Sequence, residues 1–340
     1  MIHAGVPMKL IESIRLLNPS LTAENHCLSA KRPNGLGIDL AFRMRCLNRN
    51  NFALALMKYV NFDGFLITGQ HSGTHWIKWM MSHAIAHHYG VPPPKYMNNS
   101  SSNELIGHPK HPRRYPDLPR IASSHSIPPY ALQWKWVRRL RKPPPYAVVV
   151  RDVHDLLISN YEKWRESYAV PFSQYVAGDP RGKAYVCDVW WYVRFANRWG
   201  DVAQRHPLET LVLRYEDFRK YPLESLQRLC QHFGLELTED DLTAGIGVGS
   251  KEIMARHQDP NIDEKPVRQD GRGATHFSRE DLITLDSILR RHLRHDFGYS
   301  YFDEPRGFQV PGAQTNARGT GSRLGVRAPT GVALGRSKAR

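Results

Sequence analysis

The chain has 340 residues, 41% hydrophobic and 23% charged, a globular composition long enough for one sizeable α/β domain with tails. Its net charge of +15 divides into +4 over residues 1–52, +5 over 303–340 and +6 over the middle, so neither end forms the dense basic run of a nucleic-acid tail. Cys27, Cys46, Cys187 and Cys230 are scattered without a C-x-x-C pair, which argues against a disulfide framework or a thiolate zinc centre.

No apolar stretch is long enough to span a membrane, and the N-terminus lacks a signal-peptide pattern, so a cytoplasmic protein is expected. Residues 1–52 show weak periodicity and are expected to form a poorly ordered extension ahead of a domain over 53–302. Residues 303–340, rich in Gly, Ala, Arg and Thr, read as a disordered basic tail. Four short apolar runs in the middle have strand character: Gly64–Thr68, Arg120–Ser124, Tyr146–Val150 and Thr210–Arg214. Three of them are followed by helical periodicity. That alternation predicts a central parallel sheet with flanking helices, with ligands bound outside the carboxyl ends of its strands.

Directly after the first run comes Gly69-Gln70-His71-Ser72-Gly73-Thr74-His75-Trp76, opening a helix expected to reach about Tyr89. A glycine-bearing turn into a helix lets backbone N–H groups converge on an anion, and Ser72 and Thr74 add hydroxyls. The lysine of a G-x-x-x-x-G-K-S/T loop is missing, which weighs against an ordinary ATP or GTP enzyme; a plain strand–turn–helix connection is the alternative. His83 and His87 lie one turn apart on this helix, but no third ligand accompanies them, so no metal site is expected.

The Pro-rich stretch 97–119, with His108 and His111, reads as a loop fit to form part of a lid. The run ending at Ser124 is followed by His125, whose imidazole titrates near neutrality and suits proton transfer. The Trp134-Lys135-Trp136 cluster and Trp190-Trp191 read as packing residues. After Val150 come Arg151 and, eight residues on, Ser159. The planar guanidinium suits a phosphate monoester and the hydroxyl adds a donor, while Arg151-Asp152 as a helix-capping ion pair is the alternative. Val153, Leu156, Leu157, Asn160, Tyr161 and Trp164 then form one helical stripe, and Leu282, Leu285, Leu289 and Leu293 repeat that pattern over 278–293.

Two of these stretches carry a family resemblance. FLITGQHSGTHWIKWM resembles the 5′-phosphosulfate loop of sulfotransferases that use 3′-phosphoadenylyl sulfate (PAPS), whose core reads S-G-T-x-W. VVVRDVHDLLISNYEKW is similar to their 3′-phosphate motif, an arginine ending a strand and a serine eight residues later. The resemblance covers about residues 62–302 and implies a P-loop nucleotide-binding fold of the sulfotransferase kind. It implies that Ser72, Gly73, Thr74, His75 and Trp76 hold the 5′ end of the nucleotide, and that Arg151 and Ser159 hold its 3′-phosphate. Tyr215, in LVLRYEDF, is implied to lie near the adenine, with Ser250 approaching the same end. Where the family reads R-K-G-x-x-G-D-W this chain has Arg268 to Phe277 without the D-W pair, leaving Arg268 or Arg272 to clamp the 3′-phosphate. RIASSHSIPPYAL resembles the family segment that ends in its catalytic histidine, which makes His125 the implied general base. His71 stands where members carry Lys or Arg beside the leaving phosphate, and Ser123 replaces a second lysine. A protonated His71, or Lys78 swinging in, is expected to supply that charge.

The expected enzyme is thus a PAPS-dependent sulfotransferase acting without a metal on a hydroxyl or amine. Its expected partner is a small-molecule, carbohydrate or lipid acceptor, with no specific nucleic acid and with a homodimer left open. A small-molecule kinase, or an inactive polyanion binder, is the competing reading.

Overall fold

Successive residues of a strand face opposite sides of its sheet, and in this protein both sides are apolar. Phe65, Ile67, Tyr146, Val148 and Val150 enter one buried cluster, whereas Leu66, Ala147, Val149 and Leu213 enter another. Such a sheet has to be covered by helices on both faces. The computed structural model, which describes residues 35–50, 56, 59–108, 110, 114–262 and 277–301, has that three-layer architecture.

In chain order the elements are α1 (Gly35–Asn50), β1 (Gly64–Thr68), α2 (Thr74–Tyr89), β2 (Ile106–Gly107), β3 (Ile121–Ser124), α3 (Lys135–Arg141) and β4 (Tyr146–Val150). Then come α4 (Val153–Tyr168), α5 (Phe172–Ala177), α6 (Val189–Arg205), β5 (Thr210–Arg214), α7 (Tyr215–Lys220), α8 (Pro222–His232), α9 (Glu239–Gly247), α10 (Lys251–Arg256) and α11 (Arg279–His292). All neighbouring strands pair in parallel, in the order β2-β3-β1-β4-β5. The chain leaves β1 for one flank and returns to the other, so β1 is central and a crevice opens at its carboxyl end. On one face α6 buries Trp190, Tyr192, Phe195 and Trp199 beside α4 and α11; on the other α2 packs with α8 and α9.

The parallel sheet and its flanking helices agree with the sequence reading. β2 is a difference: two residues are too few to leave a pattern. A larger one is α1, which lies inside the segment 1–52 expected to be poorly ordered. Phe42 is 7% exposed, its ring centroid 5.0 Å from that of Trp190 and 5.3 Å from that of His292. Arg45 donates from Nη1 to the Asp179 carbonyl at 3.1 Å. Ile38, Phe42 and Cys46 form the inward stripe, but Leu36, Leu40, Met44 and Leu47 are apolar and exposed, and that second stripe hides the helical period.

Trp190 and Trp191 are buried as expected of packing residues, but Trp134 and Trp136 are exposed. The helical histidines do not pair as zinc ligands among the described residues. His83 donates from Nδ1 to Trp79 O, and His87 and His88 both meet the Asp241 carboxylate, at 2.6 and 2.8 Å. Among the described residues no helix is long and apolar enough to cross a membrane.

Candidate active site

The loop between β1 and α2 is pinned to the neighbouring strand, Gly69 N donating to Val149 O at 2.9 Å. It turns through two left-handed residues, His71 at φ 58° and Gly73 at φ 78°. A Cβ on Gly73 would stand 2.4 Å from Cε2 of Tyr215, so the glycine serves both the turn and the approach of that ring. Gly73 also caps α2 and has no side chain with which to do so, and the first turn of α2 holds no acidic residue. Its leading N–H groups, with the positive end of the helix dipole, therefore have no carboxylate of the helix's own first turn to neutralise them. By contrast, Asp152 caps α4 by accepting from His154 N and Asp155 N. Inside the loop Ser72 is fully buried, and its Oγ has no hydrogen-bond partner among the described residues. Thr74 Oγ1 lies 2.6 Å from Thr68 Oγ1, at the end of β1.

Arg151 reaches back from the end of β4 to this loop. Its Nη1 donates to the His71 carbonyl at 2.7 Å, Nη2 is 3.6 Å from Asp155, and the guanidinium stands over the Tyr215 ring at 4.9 Å. The partner carboxylate is thus Asp155, one turn into α4, rather than Asp152. Arg151 Nε is buried without a hydrogen-bond partner among the described residues. Ser159 is half-buried two turns along α4. Trp76 meets Tyr215 edge-on, centroids 5.8 Å apart, and donates from Nε1 to Gly249 O at 2.8 Å, which brings the loop before α10 beside the tyrosine. Ser250 is the next residue, and its hydroxyl caps α10 by accepting from Ile253 N. His75 is exposed on the first turn of α2. Arg268 and Arg272 lie outside the described residues.

On the other flank of β1, His125 follows β3. Its Nδ1 is 2.8 Å from the Thr68 carbonyl and 3.1 Å from Thr68 Oγ1. A carbonyl only accepts, so Nδ1 carries the proton and Nε2 of the neutral ring holds a lone pair. The residue keeps solvent access, yet the protein packed around the ring desolvates it and pushes its pKa below the ordinary 6.5. The hydrogen bond to Thr68 partly offsets that shift, and the charge of Lys163 adds to it. Lys163 is a residue the motif reading passed over. It lies on α4 one turn beyond Ser159, and only the fold brings its charge within range of His125.

His71 and Lys78, the two residues considered for the missing cation, are both held. Asn160 is oriented by its Nδ2, which donates to the Cys187 carbonyl at 2.7 Å, so its Oδ1 accepts the Nε2 proton of His71 at 2.9 Å. Lys78 is 7% exposed and donates to Asn103 Oδ1, and burial pulls its pKa down to about 8.

Comparison with known proteins gives a family. Residues 62–259 match the sulfotransferase domain. The mouse sulfotransferase SULT7A1 complexed with PAP is similar at 14% identity and a TM-score of 0.50, covering 73% of this chain and 90% of that one. Retinol dehydratase in complex with androsterone and inactive cofactor PAP is 16% identical with a TM-score of 0.41, over 62% of this chain and 70% of its own. No curated protein sequence matches. The matched domain contains β1 to β5 and every loop assembled above, so the chain belongs to the sulfotransferase family.

Proposed function

We propose that this enzyme transfers the sulfonate of PAPS to a hydroxyl or amine of a small-molecule, carbohydrate or lipid acceptor, in the cytoplasm. The observation that carries the reading is the anion cradle after β1: an uncapped helix N-terminus, a buried Ser72 hydroxyl without a partner and an arginine reaching in from β4. Those groups fit the phosphosulfate end of the nucleotide. Gly73 and Thr74 with the leading amides of α2, flanked by His75 and Trp76, would hold the 5′ side. Arg151 and Ser159, with Arg268 or Arg272, would hold the 3′-phosphate, and Tyr215 with Ser250 would border the adenine.

In the transfer a bond forms between the acceptor oxygen or nitrogen and sulfur, while the bond from sulfur to the bridging phosphate oxygen breaks. The acceptor's proton goes to Nε2 of His125 and the electron pair leaves with the 3′,5′-bisphosphate. The loop amides stabilise the charge that develops on the departing phosphate, so the proposal asks for no metal. His71 stands beside the same oxygen, tied to α4 through Asn160, and Lys163 supplies a cation near His125.

The reading is tested by calorimetry with adenosine 3′,5′-bisphosphate and by a labelled-PAPS assay on extracts in the presence of a chelator. Nucleotide binding and a sulfonated product are expected. No affinity for the bisphosphate would overturn the proposal, and magnesium-dependent consumption of ATP would replace it with a kinase.

A further inference from the structure

Of the eight tryptophans, Trp76 and Trp164 are half-buried, and the other six divide sharply. Trp79, Trp190, Trp191 and Trp199 are at most 8% exposed, whereas Trp134 is 47% and Trp136 is 63% exposed. Those two stack on each other, centroids 5.8 Å apart and rings inclined by 19°. Leu140, one turn beyond Trp136 on α3, is 74% exposed, and Leu208, two residues before β5, is 88% exposed. The helix turns Val137 and Arg138 inward and sends Trp136 and Leu140 out. Lys135, Arg139, Arg141 and Lys142 are exposed among them, and no acidic residue occurs between Leu118 and Arg151. Glu209, exposed next to Leu208, bears on the buried Arg138 and is the acidic residue nearest in sequence to that leucine.

We propose that this face docks the protein on an anionic lipid bilayer, with Trp134, Trp136 and Leu140 entering the headgroup region and the cations meeting lipid phosphates and carboxylates. A polyanion in water is served by cations alone and leaves the indoles and leucines wet. A membrane interface removes them from water while the indole N–H stays among polar groups, as tryptophans do at bilayer boundaries. Clustered Lys and Arg add attraction to anionic leaflets. Gln133, Trp134, Lys135, Trp136, Arg139 and Arg205 line a concavity of about 980 Å³ there, broad enough for headgroups.

The position in the fold is consistent. Lys142 leads through Pro143–Pro145 into the first residue of β4, and Arg205 ends α6 just before β5, so the patch lies at the amino edge of the sheet. The candidate active site occupies the carboxyl edge. Docking by this face leaves the nucleotide crevice open, and the inference does not rest on the sulfonate-transfer reading.

The test is co-sedimentation of the full chain with phosphatidylcholine vesicles, with and without phosphatidylserine, together with tryptophan fluorescence quenching by brominated lipid. Binding to the serine-containing vesicles and quenching are expected. Trp134→Ala/Trp136→Ala, which leaves the charge unchanged, should lower the partition coefficient by about tenfold or more while bisphosphate binding persists. Lys135→Gln and Arg139→Gln should each cost about fivefold. Equal binding by the double tryptophan variant would overturn the proposal, because charge elsewhere in the chain would then suffice. Heparin retention lost with the tryptophans but no quenching by brominated lipid would reassign the face to a polyanion. A dimer dissolved by the double variant, again without lipid quenching, would make it a self-interface.

Discussion

Nδ1 of His125 is committed to Thr68, and that one hydrogen bond leaves Nε2 as the nitrogen that would take the acceptor's proton in the proposed transfer. His125→Ala is expected to lower kcat by about 10²–10⁴-fold with bisphosphate affinity unchanged, measured by steady-state kinetics and calorimetry. The proposed base works deprotonated, and burial lowers its pKa from 6.5, so activity should be flat through neutrality and fall below pH 6.5. Lys163→Met removes a cation that disfavours the imidazolium; the His125 pKa should rise and the acidic limb move to higher pH, most clearly at low salt. Arg151→Ala removes the guanidinium between the loop and Tyr215 and should weaken bisphosphate binding by about 3 kcal/mol, on the order of a hundredfold. Strand-end residues such as His125 and Arg151 were legible because each follows an apolar run. The tether of His71 was not, since Asn160 stands 89 positions away and reads as one member of a helical stripe.

Two elements carry constraints that a single substitution exposes. The turn into α2 needs Gly73 at φ 78° with the Tyr215 ring against it. Gly73→Ala is expected to cost about 1–2 kcal/mol in backbone strain alone, to lower Tm and to weaken nucleotide binding by pushing Tyr215 aside. Calorimetry against differential scanning separates the two effects. For α1, the buried ring of Phe42 against Trp190 means that Phe42→Ala should destabilise the protein by about 3 kcal/mol in urea titration. A loose N-terminal extension would show no change. The GFLIT, YAVVV and TLVLR runs have the bounds of β1, β4 and β5, Gly69 and Pro145 punctuating the first two, whereas β2 and α1 escaped for want of a clean period.

For the molecule as a whole, stability should depend on acid. His83, His125, His232 and His292 all have pKa values lowered from 6.5, burial being the first cause in each. The unfolded chain then binds more protons than the folded one just below pH 6.5. Stability contributed by these groups is therefore complete above that value and is lost as pH falls through it. Thermal melts taken from about pH 7.5 to about 5.5 should show Tm falling, with the slope reduced in His125→Gln and His232→Gln together. Strand order has a consequence at the same scale: placing β1 at the centre sets His125 and Arg151 on opposite flanks of one loop, which in the proposed transfer would separate proton acceptance from nucleotide holding.

The sequence by itself determined the alternation of strands and helices, the glycine turn after the first strand, and the residues at three further strand ends. Those are local properties, written in apolar period and in residues of special conformation. Only the tertiary structure decided that Nδ1 of His125 faces Thr68, that Arg151 spans to Tyr215, that His71 is bound by Asn160 and that Lys163 lies within electrostatic range of His125. It also decided that Phe42 is inside and that Trp134 and Trp136 are out. Each of these depends on which distant segments become neighbours, and apolar pattern gives the same signal for a residue that packs and for one that waits for a partner.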